Sequence, residues 1–439
     1  MASLGCSKNL VDSEHILGEL HRKGYTIAPD IHGVDIAIIN TCAFIKDATE
    51  ESIEAILEAV ELKQAGDIKV LIVAGCLPQR YWSENLSDEI QEVDAFVGVG
   101  QYHLIADVVE KALKGLSAHA VGIHPGGHRD SGLGRFVLTP DHYAYIKISE
   151  GCDNHCSYCV IPHLRGPYRS RRIKSVVDEV QQLSRERFLS EINLIGQDTT
   201  YYGTDLYGTP RLGLLLRRLA RLTTVGWIRL LYTHPAHFSA DVMDVIREEP
   251  SLCRYIDLPL QHISNPILQK MGRKVTQAQI VKLIGQLRDA IPDVTLRTTF
   301  IVGFPGETGR EFNDLLRFVE ETRFERLGAF TYSREEGTPA FKLPGQVPER
   351  VKKERLHRLM KTQRDISLKR NTSLIGTNCQ VLIDNICEEE DELYMARTEG
   401  DAPDVDQLVY VRGRDLRAGQ FIQVTITDAY EYDLVAEPV

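Results

Sequence analysis

The chain lacks the features that mark membrane-embedded and secreted proteins. None of its apolar runs approaches the length that spans a bilayer, and residues 1–9 carry no basic stretch followed by an apolar one. Its nine cysteines are an odd number scattered over 439 residues, which does not suit a disulfide scaffold. A hydrophobic content of 43% and a charged content of 26% are typical of globular domains. We therefore expect a cytoplasmic protein of two or three domains without a membrane partner.

The C-terminal segment has no lysine. From Thr372 onward it contains fifteen Asp and Glu residues against four arginines, and the resulting charge of −11 equals the formal net charge of the whole chain. Because phosphate neutralisation dominates nucleic-acid affinity, this segment disfavours RNA and favours a basic protein surface. The alternative is that its acidic turns only confer solubility.

Three cysteines lie together in the segment 150–159 with the spacing CxxxCxxC, namely Cys152, Cys156 and Cys159. A structural zinc ion is coordinated by four protein ligands. An iron–sulfur cubane held by three thiolates, in contrast, leaves one iron open to a cofactor. The spacing therefore predicts a cluster site. The alternative is a zinc site with a distant fourth ligand such as His155 or His163.

Three further cysteines are predicted at the carboxyl ends of parallel strands, where such sheets bind their ligands. Cys42 and Cys76 each end a near-continuous apolar run rich in β-branched residues, and each is followed by a helical pattern. Cys6 precedes a helix predicted over Leu10–Arg22. Ligands bind beyond the carboxyl ends of the strands in such sheets, so the three cysteines predict a second cluster site. A single cysteine of this kind would be assigned to the core.

The pattern predicts an α/β architecture with three domains and a linker. We expect an N-terminal βαβ sheet domain over 1–116, a linker rich in Gly and His over 117–135, a partial TIM-type barrel over 136–370 and a small β-barrel over 371–439. The six barrel strands are predicted at Tyr143–Ser149, Glu191–Ile195, Trp227–Tyr232, Tyr255–Leu260, Thr295–Val302 and Leu327–Tyr332. Polar residues after three of these strands are candidate cofactor or substrate contacts: Gln197, Asp198, Thr233, His234, Gln261 and His262.

Four motifs carry a family resemblance: Ser3–Glu14, Ser149–Asp153, Ile195–Thr200 and Asp205–Gly208. With them the sequence resembles the radical S-adenosylmethionine (SAM) methylthiotransferases over essentially its whole length. Within that family it is similar to the branch that modifies ribosomal protein S-12. The resemblance implies a C-terminal TRAM domain. Only Met1–Leu4 precede Cys6, so we expect either a very short first strand or a chain truncated at its start.

The resemblance also implies the cofactors and the reaction. Cys152, Cys156 and Cys159 would hold the [4Fe-4S] cluster that generates a radical from SAM, with Tyr158 against SAM and with Gln197 and Asp198 as further cofactor contacts. Cys6, Cys42 and Cys76 would hold an auxiliary [4Fe-4S] cluster. The enzyme would add a methylthio group to the β-carbon of an aspartate in ribosomal protein S-12, using one SAM as radical source and another as methyl donor. The acidic C-terminal domain would recruit that protein, and a flavodoxin or ferredoxin would donate electrons.

Two other functions remain open at this point. A tRNA methylthiotransferase would need a basic RNA surface, for which one patch is available: Arg165, Arg169, Arg171 and Arg172. We interpret these arginines first as part of a loop that enters the helix at Lys174 and only second as an RNA contact. A non-enzymatic module that binds zinc or a cluster would show zinc in the purified protein and no cleavage of SAM.

Overall fold

The computed structural model describes residues 1–122, 134–222, 225–387, 390 and 392–439. Most of the linker predicted over 117–135 lies outside these residues. The chain divides into two compact units. Unit 1 contains Met1–Leu138, Lys147–Ser175 and Glu335–Thr338, and unit 2 contains Thr139–Ile146, Val176–Arg334 and Pro339–Val439. None of the described helices is long and apolar enough to cross a membrane.

Unit 1 is built on a parallel sheet of four strands in the order β1-β2-β3-β4. The strands are β1 Ala2–Ser3, β2 Val34–Thr41, β3 Ile68–Gly75 and β4 Ala95–Gly98. The helices between and after them are α1 Ser7–Arg22, α2 Lys46–Gln64, α3 Cys76–Tyr81, α4 Leu86–Glu89 and α5 Ile105–Ala112. The predicted βαβ sheet is confirmed, and its first strand has only two residues.

Both faces of this sheet are buried, which explains the continuous apolar runs. Ile39 and Val73 pack with α2 and α3 on one face, while Ile38 and Ile72 pack with α1 and α5 on the other. Successive side chains of a strand point to opposite faces, so apolar residues are needed at consecutive positions. The strands thereby end at one edge with Cys42 and Cys76 directly after them.

Unit 1 also contains the loop with the CxxxCxxC spacing. Short strands β6 Ser149–Glu150 and β7 Arg169–Ser170 pair antiparallel, and helix α6 Ile161–Arg165 lies between them in sequence. Val160 and Leu164 belong to the same apolar cluster as Leu77 of α3. The loop is therefore packed into the core of the unit that carries the N-terminal sheet.

Unit 2 is built around a six-stranded sheet in the order β5-β8-β9-β10-β11-β12, and adjacent pairs from β8 to β12 are parallel. The strands are β5 Tyr143–Lys147 (whose last residue belongs to unit 1), β8 Glu191–Ile195, β9 Trp227–Leu230, β10 Leu252–Asp257, β11 Thr295–Val302 and β12 Arg326–Thr331. The intervening helices are α7 Ile173–Glu186, α8 Thr204–Tyr207, α9 Leu212–Ala220, α10 Ala240–Glu248, α11 Asn265–Lys270, α12 Gln277–Ala290 and α13 Gly309–Thr322. The six predicted strands are present, and β10 begins three residues before its predicted start.

The C-terminal part of unit 2 is a closed five-stranded barrel in the order β13-β14-β15-β17-β16. Its strands are β13 Asn378–Ile386, β14 Leu393–Thr398, β15 Leu408–Arg412, β16 Phe421–Ala429 and β17 Asp433–Pro438. Helix α14 Glu349–Ser373 precedes the barrel, and its last turn runs past residue 370. The predicted small β-barrel is confirmed. The sequence pattern predicts three of its strands, at Gln380–Asp384, Leu408–Val411 and Phe421–Asp428, and does not indicate β14 and β17.

Candidate functional site

Cys6, Cys42 and Cys76 follow three neighbouring strands at one edge of the unit 1 sheet. Cys6 is the N-cap residue of α1, Cys42 follows β2, and Cys76 opens α3 directly after β3. Gly5 has a φ of +86°, and a Cβ there would lie 2.6 Å from the Cβ of Cys42. Only glycine allows the Cys6 and Cys42 segments to approach this closely.

The three thiols act on one another electrostatically. Burial raises the pKa of Cys42 to about 12, and the neighbouring Cys76 adds to this increase. Burial also raises the pKa of Cys76, which Arg165 partly opposes. Desolvation opposes ionisation of Cys6, but Lys8, Arg165 and the backbone N–H of Asn9 together lower its pKa. Iron binds thiolates, so Cys42 and Cys76 would release their protons on binding. Three thiols that influence one another's ionisation at one edge of a sheet fit a cluster held by thiolates.

The second group of cysteines lies in the loop between β6 and α6. Gly151 precedes Cys152 with a φ of +75°, and a Cβ there would lie 2.5 Å from the carbonyl oxygen of Gly166 and closer still to that of Pro167. The Cys152 N–H donates to the Gly166 oxygen at 3.1 Å. The Asn154 N–H donates to the Cys152 Sγ at 3.4 Å. The loop is held by its backbone and offers an N–H to a sulfur, which fits a cluster held by thiolates.

Four buried charges form a closed ring in unit 1. Lys147 Nζ contacts Asp12 Oδ1 and lies 2.7 Å from Glu150 Oε2. Arg165 Nη1 lies 3.0 Å from Asp12 Oδ2 and 3.0 Å from Glu150 Oε1. Arg165 Nη2 also donates to the Cys76 Sγ at 3.7 Å. The ring therefore joins helix α1, the segment before Cys152 and the segment after Cys159 to a cysteine of the sheet.

Sequence reasoning did not find this ring. Asp12 and Glu150 lay inside the quoted motifs, but a charged residue on a helix or beside a loop is usually solvated. Arg165 was assigned to a basic patch, and in the structure Arg165 and Arg171 are both buried. Arg171 donates to the Lys147 carbonyl oxygen at 2.9 Å and to Ser175 Oγ at 2.9 Å. Two of the four arginines of the predicted RNA patch are thus engaged inside unit 1.

Asp198 holds a local network at the end of β8 in unit 2. Its Oδ1 accepts from Thr200 Oγ1 at 2.6 Å and from the Tyr201 N–H at 3.2 Å, and its Oδ2 lies 2.7 Å from His237 Nδ1. Burial works against ionisation, but the hydrogen bond from His237 holds the pKa of Asp198 below its ordinary value. Gln197 beside it is half-buried. Contacts of Gln197 and Asp198 with SAM remain a prediction, as does that of the half-buried Tyr158 in unit 1.

The other predicted contacts after the strands also hold backbone groups. Thr233 Oγ1 donates to the Asp257 carbonyl oxygen, and His262 Nδ1 accepts from the Ile263 N–H at 2.9 Å. Asp198, His234 and His237 have potential ligand atoms within 4.8 Å of one another. His234 Nδ1, however, accepts from the Ala236 N–H at 3.1 Å, so its proton lies on Nε2. A ring nitrogen that carries a proton has no lone pair for a metal, so this group does not suit an ion.

Comparison with known protein families finds three matches along the chain. The Radical SAM superfamily model matches residues 146–319, the TRAM domain model matches residues 375–439, and the model of uncharacterized protein family UPF0004 matches residues 1–98. The fold is similar to that of the radical SAM methyltransferase TsrM from Kitasatospora setae, with a TM-score of 0.54, 16% identity, and coverage of 76% of this chain and 74% of that one. The chain therefore contains a domain of the radical SAM superfamily, a class that uses SAM and a [4Fe-4S] cluster.

The relatives narrow this class. The chain is 49% identical over 438 residues to ribosomal protein uS12 methylthiotransferase RimO of Geobacter sulfurreducens, covering 100% of this chain and 97% of that protein. It is 47% identical over 443 residues to RimO of Clostridioides difficile, covering 100% of this chain and 98% of that protein. The chain belongs to the RimO family of methylthiotransferases.

Proposed function

We propose that this enzyme adds a methylthio group to the β-carbon of an aspartate in ribosomal protein uS12, consuming one SAM as radical source and a second as methyl donor. The observation that carries the proposal is the match along the full chain to relatives named for that substrate. The tRNA alternative is not favoured by these relatives. The basic patch predicted for tRNA binding also offers less positive surface than expected, because two of its four arginines are buried.

The two cysteine groups would divide the work. Cys152, Cys156 and Cys159 would hold the cluster that binds SAM, and Cys6, Cys42 and Cys76 would hold the auxiliary cluster. When bound, a reduced cluster at the first group supplies the electron that cleaves SAM to methionine and a 5′-deoxyadenosyl radical. Gly151 and the Gly166 carbonyl would fix the loop that carries the first group. Tyr158, Gln197 and Asp198 would contact SAM.

The small barrel would provide the docking surface for the basic substrate. Some of its carboxylates serve inside unit 2: Asp401 pairs with Arg326 at 2.6 Å and Asp406 with Arg297 at 3.3 Å. Glu390 and Glu392 are exposed but pair with Arg412 at 3.1 Å and Arg414 at 2.7 Å. Others are exposed at the surface, among them Asp415, Asp428 and Glu437. These exposed carboxylates would attract the substrate, and a flavodoxin or ferredoxin would supply electrons. We retain the domain division at 1–116, 136–370 and 371–439 as part of this proposal.

The experiment is an anaerobic turnover assay with cluster-reconstituted enzyme, SAM, a strong reductant, and uS12 and tRNA in competition. Mass spectrometry then locates any methylthio group. Cys152→Ala should abolish formation of 5′-deoxyadenosine, whereas Cys76→Ala should retain it and abolish methylthio transfer. Cys387→Ala, a half-buried cysteine away from both groups in sequence, is the matched control and should behave as the wild type.

Each outcome decides the proposal. A methylthio gain on a uS12 aspartate supports it, and a gain on tRNA alone overturns the assignment of the substrate. Equal loss of 5′-deoxyadenosine in the Cys76 and Cys152 variants would overturn the division of roles between the two cysteine groups.

A further inference from the structure

We propose that Arg165 is a positioning residue that raises the reduction potential of the auxiliary cluster by donating to the sulfur of Cys76. The inference rests on the proposed function, because it requires a cluster at Cys6, Cys42 and Cys76. It assigns a role to a residue that belongs to neither cysteine group.

The guanidinium is fixed in direction. Nη1 lies 3.0 Å from Asp12 and 3.0 Å from Glu150, and the side chain is 2% exposed. This leaves Nη2 aimed at the Cys76 Sγ, 3.7 Å away. A planar guanidinium held by two carboxylates on one side has little freedom to turn away from the sulfur on the other. The donor is therefore in place before any cluster binds.

The backbone around Arg165 also belongs to the loop of the other cysteine group. Arg165 ends α6, and the carbonyl of the next residue, Gly166, accepts the N–H of Cys152. Leu164 packs in the same apolar cluster as Leu77, the neighbour of Cys76. A shift of the Cys152 loop would thus carry Arg165 with it. Arg165 links the loop to the sulfur of the sheet within unit 1.

The electrostatic consequence has a definite sign. Reduction adds one negative charge to a cluster, and a positive donor beside a ligand sulfur stabilises that charge more strongly in a dry site than in water. Net charge and hydrogen bonds to the sulfurs are among the factors that set the potential of an iron–sulfur cluster. Lys147 belongs to the same ring, but the hydrogen bond to Cys76 is made by Arg165. Loss of Arg165 should therefore lower the potential more than loss of Lys147.

A charge-matched pair of variants separates this effect from a general loss of structure. Removing Arg165 alone would leave the ring with one excess negative charge in a buried place. The double variant E150Q/R165Q removes one carboxylate and one cation, and so does the control E150Q/K147Q. The control keeps Arg165 and its contact with Cys76. Both are made in full-length protein in which the three loop cysteines are alanine, so that any cluster present is the auxiliary one.

The measurements are iron content, an EPR-monitored redox titration and the rate of iron loss to a chelator. We expect a more negative midpoint potential, a changed EPR spectrum of the reduced cluster and faster iron loss in E150Q/R165Q than in E150Q/K147Q. Equal midpoint potentials in the two variants, with iron present in both, would overturn the role of Arg165 alone. Absence of iron from the parent with the three alanines would overturn the auxiliary cluster itself, and this inference with it.

Discussion

Gly151→Ala should damage the Cys152 loop by a steric conflict that the backbone cannot relieve. A non-glycine residue at a φ of +75° costs about 1 kcal/mol. The new Cβ would also press on the carbonyl oxygens of Gly166 and Pro167, which are backbone atoms and not flexible side-chain ends. Moving them apart strains the hydrogen bond from the Cys152 N–H to Gly166, which is worth about 1 kcal/mol, and adds an overpacking cost of about 1 kcal/mol. We expect the free energy of unfolding to fall by roughly 3 kcal/mol in total.

Gly208→Ala is the matched control for this change. Gly208 has a φ of +72°, and nothing lies within 4 Å of a Cβ built there. Gly208→Ala should lower the free energy of unfolding by about 1 kcal/mol, because of the backbone conformation alone and without a steric clash. The assay is denaturant unfolding of the two metal-free variants, followed by iron content and SAM cleavage after reconstitution. A difference of about 2 kcal/mol and a selective loss of SAM cleavage in Gly151→Ala are expected. Equal unfolding free energies in the two variants would refute the reasoning.

Three further predictions concern other parts of the molecule. Gly5→Ala should lower iron binding at the auxiliary site but leave SAM cleavage in place, because the new Cβ would lie 2.9 Å from the Cys42 Sγ; iron analysis and 5′-deoxyadenosine formation check this. Glu191→Gln should cost about 3 kcal/mol by leaving two buried arginines without their shared carboxylate, measured by denaturant unfolding. Burial raises the pKa of Glu191, but Arg397 and Arg229 lower it below the ordinary value of 4.5. The ionised carboxylate therefore stabilises the folded state above pH 4.5, and this stabilisation is lost as the pH falls through the lower folded pKa. The unfolding free energies of variant and wild type should converge in acid. Asp428→Asn with Glu437→Gln should weaken uS12 binding about twofold per charge at low salt, and an unchanged affinity would contradict the docking role of the exposed carboxylates.

The local sequence pattern predicted the six strands of the unit 2 sheet. The bounds of β8 and β11 match the expected ones. Strand β10 ends at Asp257 although Leu258 and Leu260 are buried beyond it. Pro259 between them has no N–H for a sheet ladder, so regular pairing stops there, although the Leu258 N–H still donates to the Arg297 carbonyl oxygen of β11 at 2.8 Å. Hydrophobicity alone therefore does not locate the end of a strand.

The pattern missed β14 and β17 for a different reason. β14 is built from Leu393–Thr398, which is mostly Met, Ala, Arg and other residues that are not β-branched. β17 contains Asp433 and Glu437 and ends at Pro438. Both are stabilised by partners distant in sequence: β14 lies between β13 and β15, and β17 closes the barrel between β15 and β16. Pairing of this kind overrides weak local propensity and cannot be read from one segment.

The candidate site shows the same division between local and distant information. The cysteine spacing was visible because three ligands for one cluster lie within one loop, and the strand-end cysteines were visible because parallel strands end at one edge. The ion pair between Asp12 and Arg165 spans 153 residues, so no window of sequence contains it. Its members look like ordinary surface charges until the fold buries them.

Part of the negative charge of the small barrel is engaged in ion pairs with arginines. The sequence argument counted every carboxylate as facing solvent, but Asp401 and Asp406 neutralise Arg326 and Arg297 of the sheet in unit 2. Asp384 is likewise engaged, because it pairs with Arg397 at 2.7 Å. Part of the −11 charge is therefore structural, since a buried arginine left without its carboxylate would be costly. The attraction for a basic substrate must come from the exposed carboxylates alone, and its strength should depend on salt as a surface effect does.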